Sequence, residues 1–118
     1  MIGPDTALKV YLCREAVDFR KGINGLCVLV QQPLRLDPFA AQVVVFRNRR
    51  CDALKVLYWE RNGFCLWHKR LERGRFRWPQ TGTGERVEIS AAELQWLLTG
   101  LDINALRAPE RLHYRAVF

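Results

Sequence analysis

Alternation and helical spacing divide the chain into short elements. Leu8, Val10 and Leu12 alternate with Lys9 and Tyr11, which predicts a strand over residues 8–12. Phe19, Ile23, Leu26 and Val30 follow at spacings of four, three and four, a helical stripe that Asp18 can cap and Pro33 ends. Leu36-Asp37-Pro38 reads as a loop. Gln42–Arg47 carries Val43-Val44-Val45-Phe46, the continuous apolar run of a buried strand, and Ala53–Trp59 is a further strand. The polar turn Asn48–Asp52 between them predicts a hairpin whose tip bears Arg47, Arg49 and Arg50.

Asn62-Gly63 marks the next turn. Phe64, Trp67 and Leu71 then fall at helical spacing, Lys69 interrupts any alternation, and Gly74 stands where a left-handed cap is expected. A helix over 63–73 is therefore expected. Arg75–Trp78 and Arg86–Ile89 read as short strands around a glycine-rich turn, Thr81–Gly84. Ser90-Ala91-Ala92-Glu93 is a capping box opening a helix with Leu94, Trp96, Leu97 and Leu98, closed by Gly100. The expectation is a single α+β domain over 1–118, a small, mostly antiparallel sheet with about three helices, with residues 103–118 a loosely ordered tail. Phe19, Ile23, Leu26, Val44, Phe46, Leu57, Trp67, Leu71, Leu94 and Leu97 are the expected core.

A chain of 118 residues, 49% of them hydrophobic, is long enough to bury a core without metals or disulfides. No stretch approaches the roughly 20 apolar residues of a membrane span, and the N-terminus lacks a signal-peptide pattern, so a soluble, cytoplasmic protein with no membrane partner is expected. The four cysteines, Cys13, Cys27, Cys51 and Cys65, form no close pair. Zinc ligands usually come in such pairs, so no metal and no cofactor are expected.

Charge changes the picture. Residues 47–77 hold ten basic residues, eight of them arginine, and three acidic ones. The whole net charge of +7 lies in that segment, because the rest of the chain is neutral. A concentrated basic field attracts polyanions. Arginine outnumbers lysine, which suits bidentate phosphate contacts. Arg47, Arg49, Arg50, Arg70, Arg73, Arg75 and Arg77 are therefore the candidate nucleic-acid-binding residues, with DNA as the expected partner. Arg20 and Lys21 join them: two cations before a helix N-terminus oppose its dipole unless an anion binds there. Tyr58, Trp59, Trp67, Phe76 and Trp78 lie nearby in sequence and could stack on bases, but large aromatics in a small domain are more often core. Gly22-x-x-Gly25 has the spacing that clamps a nucleic-acid backbone in KH domains, though the surrounding elements fit that fold poorly, and glycines that permit close helix packing explain it as well.

Catalysis finds no home in the pattern. Metal-dependent phosphoryl transfer needs converging carboxylates. Asp18 reads as a cap, and Asp37 and Asp52 as turn residues. With Glu60 they form no recognisable set. No Ser-His-Asp or phosphate-loop motif is present, so neither an enzyme nor a small-molecule substrate is expected.

The stretch FRNRRCDALKVLYWERNGFCLWHKRLERGRFRWP, residues 46–79, resembles the TnpB accessory proteins of the IS66 family of insertion sequences. DFRKGINGL (18–26), LDPF (36–39) and LQWLLTGLD (94–102) are similar to the same family, in the same order. The family usually has glycine where Cys51 stands, aspartate where Asn24 stands and an aromatic where His68 stands. The resemblance implies a non-catalytic part in DNA transposition beside a separate, larger transposase that carries the catalytic acids. Two roles fit: binding DNA through the basic residues, or acting as an adaptor that docks the transposase or other accessory proteins of the element.

Overall fold

Two strands with apolar residues on consecutive positions organise the molecule. The structure, a computed structural model, describes residues 8–80 and 82–102. β2 (Gln42–Arg47) is buried from Gln42 through Phe46, and β3 (Ala53–Glu60) from Ala53 through Tyr58. Burial on both faces requires cover on both sides, and the other elements supply it. β1 (Lys9–Cys13), β4 (Gly63–Arg70) and β5 (Arg86–Ile89) complete a five-stranded sheet in the order β4-β3-β2-β1-β5.

Helix α1 (Ile23–Gln31) covers one face, packing Leu26 and Val30 on Cys13, Val44, Phe46 and Leu57. On the other face, helix α2 (Ala91–Leu98) and the segment 71–79 cover Val10, Leu12, Val43, Val45, Leu54 and Val56. Leu34, just beyond α1, is also fully buried. The capping box forms as its sequence dictates: Glu93 N–H donates to Ser90 Oγ at 3.0 Å, and Ser90 N–H to Glu93 Oε1 at 2.8 Å. After α2, Gly100 takes φ 84°, so that its N–H reaches Leu97 O and that of Leu101 reaches Trp96 O. These two bonds satisfy carbonyls the helix end would orphan. No helix among the described residues is long and apolar enough to cross a membrane.

The class is α+β, but the architecture corrects the sequence-based expectation. The sheet is mixed, because β1 pairs with β2 in parallel, Leu12 opposite Val45. That pairing needs a crossover, and α1 is the crossover. The described residues contain two helices, not about three, because residues 63–70 form strand β4. The two-residue turn Arg61-Asn62 sets Gly63 against Glu60 and zips eight residue pairs with β3, ending at Ala53 opposite Arg70. Phe64 and Leu66 pack on the α1 face, and His68 meets Phe19 edge-on at 5.8 Å. Cys65 and Leu71 pack on the α2 face. Lys69, whose charge argued against a strand, extends its ammonium to Leu98 O at 2.7 Å.

Residues 75–79 are not a ladder strand. They form an extended strap that still alternates: Phe76 is buried and Trp78 half-buried, whereas Arg75 and Arg77 are exposed. Of the expected core, Leu26, Val44, Phe46, Leu57 and Leu97 are buried. Phe19, Ile23, Leu71 and Leu94 are half-buried, and Trp67, on edge strand β4, is 42% exposed. The proposed tail, 103–118, lies outside the described residues.

Candidate nucleic-acid interface

Asn48 builds the β2–β3 turn. Its side-chain oxygen accepts from Asp52 N–H at 3.1 Å and from Ala53 N–H at 3.2 Å, and its amide donates to Asp52 Oδ1 at 2.6 Å. This last bond holds the Asp52 carboxyl below its ordinary pKa range. Cys51 closes the turn at φ 58°, the left-handed region that favours glycine. Cys51 thus takes a backbone that glycine adopts freely, and Arg49 and Arg50 project into solvent.

The strap hangs from that tip. Phe76 N–H donates to Cys51 O at 2.7 Å, Cys51 Sγ approaches Phe76 O at 3.4 Å, and Leu71 N–H donates to Asp52 O at 2.8 Å. Burial pushes the Cys51 thiol pKa up. Phe76 inserts into the core, and the indole N–H of Trp78 donates to Cys13 O at 3.2 Å. Alternation then turns Arg75 and Arg77 outward on the same side as the tip.

The result is an open concavity of about 1330 Å³ lined by Arg14, Arg47, Arg49, Arg50, Arg73, Arg75 and Arg77, with Glu15 and Asp102 on its wall. No carboxylate lies within ion-pairing distance of Arg49, Arg50, Arg73, Arg75 or Arg77 among the described residues. Arg47 serves the wall itself. Its guanidinium donates to Asn48 O and Arg14 O at 3.3 and 3.4 Å and lies over the Trp78 ring, Cζ 5.9 Å from the centroid. Its Nε is buried without a hydrogen-bond partner. A smaller hollow of about 420 Å³, lined by Ala16–Phe19 and Asn48, shares Arg49 and Arg50 with the first.

Three of the sequence candidates stand apart. Arg70 ends β4 outside the concavity. Arg20 is ion-paired to Asp18, with Nη2 2.7 Å from Oδ2 and Nε 3.0 Å from the same oxygen. This bridge holds the Asp18 carboxyl well below the usual range. Asp18 is therefore not the cap of α1, which begins five residues later behind Gly22 with no side-chain cap. Lys21 is exposed beside it, on a segment fixed from below: the buried Lys55 donates to Phe19 O at 2.8 Å and Lys21 O at 2.9 Å. A Cβ at Gly25 would meet the Lys21 side chain, whereas one at Gly22 would stand in open space, so only the second glycine of the pair is closely packed.

Arg14 is the lining residue the sequence did not mark. It lies far from the 47–77 cluster, and only the parallel β1–β2 register carries the end of β1 to the end of β2. Among the described residues, no three Cys, His, Asp or Glu side chains are placed to hold a metal ion. The four cysteines are free thiols, and burial pushes Cys13 up to about 11. Asp37 accepts Phe39 N–H at 2.9 Å, which fits a turn role.

The sequence of residues 8–108 matches the family model described as IS66 Orf2 like protein. An uncharacterized protein of Sinorhizobium fredii, y4jC, is 41% identical over 102 residues, covering 86% of each chain. A second, y4hO of the same organism, is 40% identical over 95 residues, covering 80% of this chain and 82% of its own. No solved structure matches the chain. The chain belongs to the IS66 Orf2-like family and is an insertion-sequence-associated accessory protein.

Proposed function

We propose that the protein binds DNA through the arginine-lined concavity while the element is transposed, and that it carries out no chemistry itself. The observation that carries this reading is the meeting of two separate elements, the hairpin tip with Arg49 and Arg50 and the strap with Arg73, Arg75 and Arg77, around one open hollow. Five exposed guanidiniums without carboxylate partners repel one another in the free protein, and a polyanion relieves that repulsion. Seven arginines against two carboxylates is not the even mix of signs of a merely solvated face. The non-catalytic reading draws support from the acids: Asp18 is bonded to Arg20, Asp37 to a turn amide and Asp52 to Asn48.

The test is a salt titration of binding to transposon-end duplex and to random DNA. Each phosphate contact contributes a slope of about −0.9 in log affinity against log salt. Replacing Arg49 and Arg50 with alanine flattens the slope by about two units, with stability unchanged within about 0.5 kcal/mol. Equal binding by parent and double variant at every salt concentration refutes the site.

A second reading, an adaptor for the transposase, draws on one feature. Phe39 is 56% exposed and meets Trp59 edge-on and Phe64 at a tilt, at 5.0 and 5.3 Å, near the Glu60–Gly63 turn at the far end of β3 from the concavity. If the protein fails to bind DNA at low salt yet co-purifies with the element's transposase, and Phe39→Ser abolishes that association, the adaptor reading replaces the first.

A further inference from the structure

Sites that hold unpaired nucleic acid interleave cations with aromatic faces on which bases stack. This concavity has the cations without the faces. Of its two aromatic rings, Phe76 is 3% exposed and belongs to the core. Trp78 packs on that core, carries the Arg47 guanidinium over its ring and donates its N–H to Cys13 O. The exposed rings lie elsewhere, Phe39 near the opposite end of β3 and Trp67 on strand β4.

The cations, meanwhile, stand in two groups on two elements. Arg75 and Arg77 leave the same side of an extended strap, about 6–7 Å apart along it, a gap like that between neighbouring phosphates of one strand. Arg49 and Arg50 face the hollow from the hairpin tip. The strap bonds to the tip through Phe76 N–H and Cys51 O at 2.7 Å, so the two groups adjoin and make one dense patch of cations. A duplex presents a phosphate charge about every 1.7 Å of its axis, against about 3.4 Å for one strand.

On the DNA-binding reading above, we infer that the concavity takes duplex DNA by the dense phosphate charge of its two strands and stacks no base. A single strand, with half the charge per length, meets fewer of the arginines and gains nothing from its bases.

The experiment titrates the full chain by fluorescence anisotropy, over a range of salt, against a labelled duplex, its separated strand, and that strand with its bases removed. Five contacts to a duplex give a slope of about −4.5, and three to a single strand about −2. The duplex is expected to bind more tightly at every salt concentration, and the abasic strand to bind as the intact strand does. A single strand that binds as tightly as the duplex, or loses affinity when its bases are removed, overturns the inference and leaves DNA binding standing. Absence of binding to all three at low salt removes both.

Discussion

Replacing Phe76 with alanine separates the strap from the sheet that supports it. The side chain is buried against the α2 face, and its backbone N–H holds Cys51 O at the hairpin tip. Burying a phenyl ring contributes about 1.5–3 kcal/mol by transfer alone. Phe→Ala in a closed core costs about 3–5 kcal/mol once the cavity is included. Phe76 lies beneath an open concavity, so the site can partly collapse, which places the cost near the lower end, about 3 kcal/mol. That is a large share of the 5–15 kcal/mol a domain typically has. Urea unfolding followed by tryptophan fluorescence measures the loss. Phe76→Leu, which keeps an apolar filler of similar size, should lose about 1 kcal/mol. Under conditions where the alanine variant is still folded, Arg75 and Arg77 lose their fixed places, and the salt slope for DNA falls by about two units. A stability change below about 1 kcal/mol, well short of a buried phenyl's usual cost, would refute the strap's packing. A full loss of stability with an unchanged slope would show that Arg75 and Arg77 make no phosphate contact.

Cys51 offers a test of the turn. Its left-handed φ costs a side-chain-bearing residue about 1–2 kcal/mol, while glycine adds freedom to the unfolded chain worth about 0.4–1 kcal/mol. Cys51→Gly is therefore expected to unfold within about 1 kcal/mol of the parent, and Cys51→Val to be less stable than Cys51→Gly by at least that relief, both read by urea unfolding. The Asp18 carboxyl, depressed by Arg20, should titrate below the ordinary value of about 3.9 in carboxyl-carbon NMR, and Arg20→Ala, which removes the guanidinium but keeps the backbone N–H bond to Asp18, should raise it part of the way back. Because the folded pKa is the lower one, the contribution of this pair is present above the unfolded value and fades as pH falls towards the folded one. The pair is fully exposed, so its effect is read from the titration and not from unfolding.

Much of the frame was legible because local signals agreed with tertiary ones. The apolar run of β2, the alternation before Cys13 and the Ser90–Glu93 box each name one structure. β4 was not legible, since Phe64, Trp67 and Leu71 satisfy helical spacing by coincidence. What decides the matter is cross-strand pairing with β3, which a periodicity read along one segment does not contain. The Asn62-Gly63 signal did mark a tight hairpin, although the two turn residues are Arg61 and Asn62 and Gly63 already opens β4. The basic cluster was legible as charge, and its division was not. Arg47, Arg49, Arg50, Arg73, Arg75 and Arg77 line one hollow, Arg70 stands outside it, and Arg20 is held by Asp18. Side-chain partners and the direction of a strap are tertiary facts, as is the parallel pairing that adds Arg14.

The strand order also sets a sequence of events in folding. β2, β3 and β4 form a continuous meander joined by tight turns, whereas Val10 pairs with Ile89 across about 80 residues of chain. Loop closure costs about 0.6 kcal/mol more for each doubling of length. The β1–β5 pairing thus closes at a penalty roughly 3 kcal/mol above that of the short turns, and pairings between distant segments are the slow ones. The meander already carries the Arg49-Arg50 tip, so the basic end of the molecule exists early. Arg14 joins the hollow when β1 docks beside β2, and β5 fixes the outer edge after it.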